Sequence, residues 1–445
     1  MTFQEFKQCI ITRCAELGVQ DYELYYQTAE STSVSAYQQE INQFSASLEG
    51  GVCFRCIRNG KMGYASTESL SEKSAVKLVE RALDNAGSLE AADPVFLSGG
   101  GKTYASLPAS EVRIPETDIL ISRVLSTQEE LYAADPAVID GCTTQGVAEK
   151  SEIAIFNSRG LDLHDETVLV GLVVAAVVSD GTEMANDYQI RLGGLESIDT
   201  KALTKKAAAA ALSKLGGEPA PTGKYPVVFD PEAMSDLLST FASVFSAENA
   251  RKGLSRLAGK EGEPVASASV TLVDDPAYPG SFLQRSFDAE GSPAYRKEII
   301  SGGTLNTLLY DLKNSALASR ETTGNASKAN YDSPIGIQPF TLYLDAGACT
   351  ETALLEQAGN GVYINSLGGL HAGANPVSGD FSLQSAGFLI EGGKLTRRVK
   401  SFTVAGNFYD LLKNIRCAAD NLEFPGMGTV GSPSVLADGL SIAGK

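Results

Sequence analysis

Gly217-Glu218-Pro219-Ala220-Pro221-Thr222-Gly223 cannot continue a helix or a sheet. Its two prolines lack a backbone donor and fix φ, and the bracketing glycines supply free dihedrals. The stretch therefore reads as a linker dividing the 445-residue chain near its middle. Immediately upstream, Thr200 to Leu215 is an Ala-rich helical run closed by Gly216-Gly217. Immediately downstream, Glu232 to Arg251 has helical spacing, with Met234, Leu237, Leu238 and Phe241 on one apolar face. The remaining stretch of about 190 residues is mostly short strand-like runs broken by Gly, Asn, Asp and Pro. Such a pattern predicts an antiparallel barrel or sandwich.

Towards the N-terminus, Phe3, Phe6, Ile10, Cys14 and Leu17 mark one face of a helix. Strand-like runs follow at Tyr22–Gln27 and Thr32–Phe44. Gly51–Arg58 and Lys61–Ser66 then flank Asn59-Gly60, a two-residue hairpin signal because both positions tolerate positive φ. Ser71–Ala86 returns to helical spacing, and a Gly-rich connector is expected over Ala86–Ala109. Its Gly99-Gly100-Gly101 lacks the Lys-Ser/Thr of a phosphate loop. Glu116–Ala134 reads as a helix, and Val138–Leu192 as an antiparallel meander turning at Arg159-Gly160 and Asp180-Gly181. No short-period repeat stands out. The expected fold class is α+β. An N-terminal region packs helices on mostly antiparallel strands (1–110, then a helix-and-meander segment over 111–217), and a C-terminal β-rich, barrel-like domain spans 218–445.

Composition narrows the function. With 54 acidic against 36 basic residues, the formal charge is −18, a field that repels nucleic acid. The densest basic groups are only Lys205-Lys206 and Arg397-Arg398 with Lys400. Direct nucleic-acid binding is not expected. The most apolar run, Val168–Val178, is 11 residues long, against the ~20 needed to cross a bilayer. The first residues lack the pattern of a signal peptide, and seven scattered cysteines suit a reducing compartment. A cytoplasmic protein without membrane attachment is the expectation.

Chemistry is sparse. The two histidines, His164 and His371, are far apart in sequence, and a zinc site needs two or three such ligands together. His164 is expected on a strand facing solvent. Cys53 and Cys56 have CxxC spacing within a strand, where side chains three apart point to opposite faces. A cysteine nucleophile at Cys349 or Cys417 would need a nearby base, which the sequence does not place. Gly368 to Ser382 differs in kind: five glycines or prolines are packed with His, Asn, Ser and Asp into 15 residues. That composition specifies an irregular loop, either a barrel corner or part of a binding groove.

That loop carries a resemblance. LHAGANPVSGDFSLQSAGFLIEGGKL, Leu370 to Leu395, resembles the signature of the TldD/PmbA family, whose PmbA branch is also called TldE. Similar matches run from Gly51-Val52 through Asn59-Gly60-Lys61-Met62-Gly63-Tyr64 to Asn249-Ala250-Arg251-Lys252-Gly253. They continue through Tyr310-Asp311 and Thr323-Gly324-Asn325-Ala326 to Ala405-Gly406-Asn407 and Gly426-Met427-Gly428. The resemblance implies a family whose active branch is a zinc metallopeptidase, with an HExxxH motif before the Arg-Lys-Gly turn and a late cysteine ligand. Here the motif positions fall on Leu238, Ser239 and Ser243, and the late position on Gly426-Met427-Gly428. Cys417 lies about ten residues too early to substitute.

What the resemblance implies is a chain inactive alone, with no catalytic residue and no zinc or other cofactor of its own. It would pair with a TldD-like, zinc-bearing subunit, or with itself, in the processing or degradation of unfolded or modified peptides. The family's label of DNA gyrase modulator would then be indirect. His371, Asn375, Ser378 and Asp380 are the groove candidates: His371 to hydrogen-bond a substrate carbonyl, the others to line the chamber or to pin the loop. Two further functions stay open, a peptidase with an unrecognised site such as Cys417, and a homodimeric peptide-binding module without a TldD partner.

Overall fold

The computed structural model describes residues 1–90 and 94–445. Of the connector expected over 86–109, Ala91, Ala92 and Asp93 lie outside the described residues. The N-terminal half is built twice from one plan. Helix α1 (Phe3–Leu17) leads into strands β1 (Asp21–Tyr37), β2 (Glu40–Arg58) and β3 (Lys61–Thr67), and helix α2 (Glu72–Ser88) follows. Helix α3 (Thr117–Tyr132) then leads into β4 (Thr143–Asn157), β5 (Asp162–Ser179) and β6 (Met184–Leu192), and helix α4 (Thr200–Ser213) follows. The six strands form one antiparallel sheet in the order β3-β2-β1-β4-β5-β6, so the two halves meet where β1 pairs with β4. This α-β-β-β-α duplication has no counterpart in a short sequence period, because it is a repeat of topology.

The helices cover one face of the sheet. Phe6, Ile10, Leu78 and Val79 pack on Leu24, Phe54 and Cys56 in the first half, and Val124 and Leu131 pack on Val34, Leu172 and Val174 in the second. Side chains of the opposite parity, Tyr25, Cys53 and Ile155, face Phe287 and Tyr331 of the C-terminal half. The expected opposition of Cys53 and Cys56 is thus seen as membership of two different cores. Strands β1 and β2 are one continuous hairpin, longer than the separate runs read from sequence. Its turn is Gln38-Gln39, both at positive φ (51° and 63°). Two glutamines give no turn signal, and the outer part of β2 is exposed on both faces, so no alternation of buried and exposed residues marks it.

The C-terminal half opens on β7 (Gly223–Phe229) and helix α5 (Pro231–Phe241). β7 runs parallel to strand Gly361–Gly368, which pairs antiparallel with Asp380–Glu391, and that strand with Lys394–Asn407. The last of these pairs with Val435–Ala443, which returns to β7 and closes a five-stranded barrel. A smaller sheet includes Leu342–Leu344 and the two-residue strand Val430–Gly431. The mixed α+β fold with a C-terminal barrel is the one expected.

One expected element is interrupted. In place of a single helix over 232–251, α5 ends at Phe241, a 3-10 turn covers Ala242–Phe245, and α6 (Ala247–Arg251) begins anew. The backbone leaves the helix to pair elsewhere: Leu309 N–H donates to Phe245 O at 2.8 Å and Ala247 N–H to Leu309 O at 2.9 Å. Ser246 caps α6. Such long-range pairing leaves no trace in helical periodicity. Among the described residues no helix is long and apolar enough to cross a membrane.

Candidate functional site

Asp230-Pro231 starts α5 as local chemistry requires. The Asp230 carboxylate accepts the Ala233 N–H at 2.8 Å, and proline at the first helical position lacks the donor that would go unpaired. The apolar face of Ala233, Met234, Leu237, Leu238 and Phe241 is fully buried against the barrel, where Phe241 stacks on Phe408 at 4.5 Å. Each of the larger side chains contributes about 1.5–3 kcal/mol of burial. The other face, with Glu232, Ser235, Asp236 and Ser239, lines a groove of about 880 Å³.

The second wall of the groove is β6, from Tyr188 to Leu192. β6 pairs with β5 on one side only and ends the sheet. The third wall is the segment from Asn421 to Val430, anchored by the pairing of Val430 and Gly431 with Leu342 and Tyr343. Glu351 and Tyr363 complete the lining. Glu351 is held firmly: one carboxylate oxygen accepts from Ser434 Oγ at 2.5 Å, Tyr363 OH at 3.2 Å and Asn421 Nδ2 at 3.3 Å.

The groove is electrostatically unusual. Burial pushes the Asp230 carboxyl up to about 7, with Glu232 and Glu351 adding to the shift and the Ala233 N–H opposing it. Burial likewise raises Glu232 to about 7, helped by Asp187 and Asp236 and opposed by Lys206 and Lys214. Asp236 rises to about 6 by burial alone. Burial, with the Asp230 and Glu351 charges, also raises the Tyr363 phenol. The nearby cations are engaged: Lys214 lies 2.9 Å from Asp187 and Lys206 3.8 Å from Glu423.

The positions carrying the expected zinc motif do not come together. Leu238 is buried in the barrel core, Ser239 is exposed on the groove, and Ser243 is exposed in the 3-10 turn outside the groove lining. Across the groove, Gly426-Met427-Gly428 offers only a thioether. An apolar side chain, two hydroxyls and a thioether do not fit a zinc ion, which takes imidazole, thiolate or carboxylate donors. Among the described residues no group of three or more His, Cys, Asp or Glu side chains is arranged to hold a metal.

His371 is exposed in the short helix Leu370–Gly373, whose Leu370 packs against the barrel core. Asn375, Ser378 and Asp380 lie just beyond it; the first two bond within their own loop, and Asp380 ties the loop to the end of the strand Lys394–Asn407. Asn375 Oδ1 accepts from Val377 N–H at 3.0 Å and Ser378 N–H at 3.3 Å. Ser378 Oγ accepts from Asp380 N–H at 3.2 Å, and Asp380 accepts from Asn407 Nδ2 at 2.7 Å. The Asn407 and Ser378 hydrogen bonds hold the Asp380 carboxyl below its ordinary range. None of the four lines the groove described above. His164 faces solvent on β5 and pairs with Glu152 at 2.9 Å. Cys417 meets Gln357, whose side chain also approaches Cys349.

The sequence reading passed over Asp230, Glu232, Ser235 and Asp236. Ser235 and Asp236 lie three and four residues after Glu232, opposite an apolar face, and Asp230 caps the helix; that was the available signal, but it is also the pattern of an ordinary solvated helix face.

Comparison with known proteins bears on the whole chain. The model of the PmbA/TldA metallopeptidase C-terminal domain matches residues 222–444, that of domain 1 residues 22–86, and that of the central domain residues 112–215. The chain belongs to the PmbA/TldD family. A relative named metalloprotease from Methanothermobacter thermautotrophicus is 30% identical over 87% of this chain and 85% of its own length. A metalloprotease PmbA homologue from Haemophilus influenzae is 26% identical over 93% of this chain and 90% of its own. Among solved structures, a Thermotoga maritima protein named for modulation of a DNA gyrase superposes with a TM-score of 0.91. It has 29% identity and covers 99% of this chain and 100% of its own. TldE from Thermococcus kodakarensis shares the fold at a TM-score of 0.86. The family's three matched domains correspond to the two α-β-β-β-α units and the barrel half, and the acidic groove lies where the second unit meets the barrel.

Proposed function

We propose that this chain is the non-catalytic, PmbA/TldE-type subunit of a zinc peptidase, and that its groove holds extended peptide while a TldD-type partner supplies the metal. The observation that carries the reading is the groove itself. It is lined by Ser239, at the position of the motif's glutamate, and by Gly426-Met427-Gly428, at that of the late ligand, while Leu238 and Ser243, at the two histidine positions, lie outside its lining. The cleft is retained and the donors are replaced. Its border strand β6 has a free edge, whose backbone groups can pair with an extended peptide irrespective of side chains. That mode suits a subunit serving many unfolded or modified peptides in the cytoplasm. Zinc is then expected only in the partner, in a heterodimer or a larger assembly.

The test is zinc content and peptide hydrolysis of the purified chain, alone and mixed with an HExxxH-bearing homologue from the same cell. Cleavage by the mixture, with a metal-free and inert chain alone, is the expected result. Stoichiometric zinc and chelator-sensitive cleavage by the chain alone would overturn the reading in favour of an independent peptidase. Tight peptide binding by a homodimer indifferent to the homologue would instead favour a binding module.

A further inference from the structure

We propose that the groove contains a subsite for a cationic group of the bound peptide, a lysine or arginine side chain or a free amino terminus, seated between Glu232 and Asp236 on α5 with the Ser235 hydroxyl as a third acceptor. The inference rests on the peptide-holding reading above and adds a chemical class to it.

Three observations point there. Glu232 and Asp236 are four residues apart on the groove face of one helix, which sets their Cβ atoms roughly 6 Å apart. That spacing leaves room for an ammonium or guanidinium between the two carboxylates. Neither side chain has a hydrogen-bond or ion-pair partner among the described residues. Ser235, between them in sequence, lines the same groove, is only 5% exposed, and its hydroxyl has no hydrogen-bond partner. A buried hydroxyl without a partner carries a desolvation cost that a bound donor removes.

The surroundings make the deficit one of positive charge. Facing the pair are Asp187, Tyr188 and Arg191 from β6, Lys206 from α4 and Lys214 just after it, Glu423 from the third wall, and Asp230, Glu351 and Tyr363 at the groove's end. Both lysines are engaged with Glu423 and Asp187, and Arg191 is exposed on the rim. Burial raises both carboxyls; at Glu232 the charges of Asp187 and Asp236 add to it, while Lys206 and Lys214 oppose it without cancelling it. A metal ion is not the fitting occupant, because the carboxylates do not converge as ligands. An organic cation with several N–H donors can reach two separated carboxylates and a hydroxyl together.

The test uses the full chain and two fluorescein-labelled, N-acetylated extended peptides, identical except for a central lysine in one and Nε-acetyl-lysine in the other. Anisotropy titrations at about pH 8 are expected to show the lysine peptide binding about tenfold more tightly. The Glu232→Gln, Asp236→Asn variant keeps side-chain shape, and it should bind both peptides alike, at the acetyl-lysine affinity. The preference should also shrink towards about pH 5.5, as the carboxylates protonate. Equal binding of the two peptides by the unaltered chain would remove the cationic subsite and leave the peptide groove standing. A preference that survives in the variant would place the attraction in the overall charge and overturn the subsite. If a folded chain binds neither peptide, the groove reading falls and the subsite with it.

Discussion

Arg55 shows how one residue can tie two domains together. It is 5% exposed, its Nε donates to Glu23 at 2.7 Å, and its Nη1 lies 3.6 Å from Glu290 of the C-terminal half. Asn157 Nδ2 supports Glu23 at 3.2 Å, and the Leu312 N–H supports Glu290 at 2.8 Å. Burial still pushes the Glu290 carboxyl above its ordinary range, although Arg55 pulls it down. Arg55→Ala would take from two buried carboxylates the guanidinium that pairs with both, and such losses cost about 3–5 kcal/mol. The urea midpoint, followed by circular dichroism, should fall accordingly with the slope unchanged. A loss below about 1 kcal/mol would show that water entering the adjacent 730 Å³ cavity screens the charges.

At the scale of the element, α5 has two faces with opposite demands. Asp230 and Glu232 titrate near 7 and Asp236 near 6, each raised by burial, against about 4 in the unfolded chain. Between those values the folded state holds more protons than the unfolded state. The three groups therefore contribute stability that is fully present below about pH 4 and is lost as pH rises through about 7. Relative to Asp230→Asn, Glu232→Gln, Asp236→Asn, the unaltered chain should lose more stability between about pH 5.5 and pH 8. Parallel urea midpoints in the two proteins would show that the groove is not the source of the slope. The apolar face sets a second expectation. Grafting the motif as Leu238→His, Ser239→Glu, Ser243→His should not restore a zinc site, because position 238 points into the barrel core. An imidazole there costs about 1–3 kcal/mol for a polar group without a partner. Zinc analysis should read well below one ion per chain, with a lowered melting temperature; a full equivalent of zinc would show that the helix can rotate its core face outward.

α5 also marks the limit of what sequence periodicity reveals. Its apolar stripe, the Asn59-Gly60 hairpin and the Ala-rich α4 are local patterns, and each appears where the pattern put it. The Gln38-Gln39 turn, the break after Phe241 and the pairing of Lys394–Asn407 with Val435–Ala443 that closes the barrel depend on partners tens of residues away. The groove residues were hidden for the same reason. Glu232 and Asp236 differ from solvated carboxylates only because β6 and the segment after Asn421 fold over them. The loop residues His371, Asn375, Ser378 and Asp380 were conspicuous by composition, and that composition serves the loop's own turns.

Across the whole molecule, charge acts at longer range than any single contact. The chain carries −18, and the basic group of Arg397, Arg398 and Lys400 is committed locally. Arg397 lies 3.6 Å from Glu391, Arg398 donates to Leu212 and Leu215 carbonyls at 3.1 and 3.2 Å, and Lys400 pairs with Glu183. With two of that group's three cations in ion pairs and a net charge of −18, a phosphate backbone is repelled, and duplex DNA should not be retained even at low salt. A cationic peptide, by contrast, is drawn in from a distance and then held at the groove, and the two effects separate kinetically. Long-range steering acts on association and is screened by salt, whereas short-range contacts set dissociation. Between about 20 and 200 mM sodium chloride, association of the lysine peptide should slow about tenfold while dissociation changes less than about threefold. The Glu232→Gln, Asp236→Asn variant removes only two of the negative charges, so its association should keep nearly the same salt slope while its dissociation quickens. Stopped-flow fluorescence resolves both rates. If salt acted mainly on dissociation, attraction would be confined to the groove, and the field of the whole molecule would play no part in bringing peptide to it.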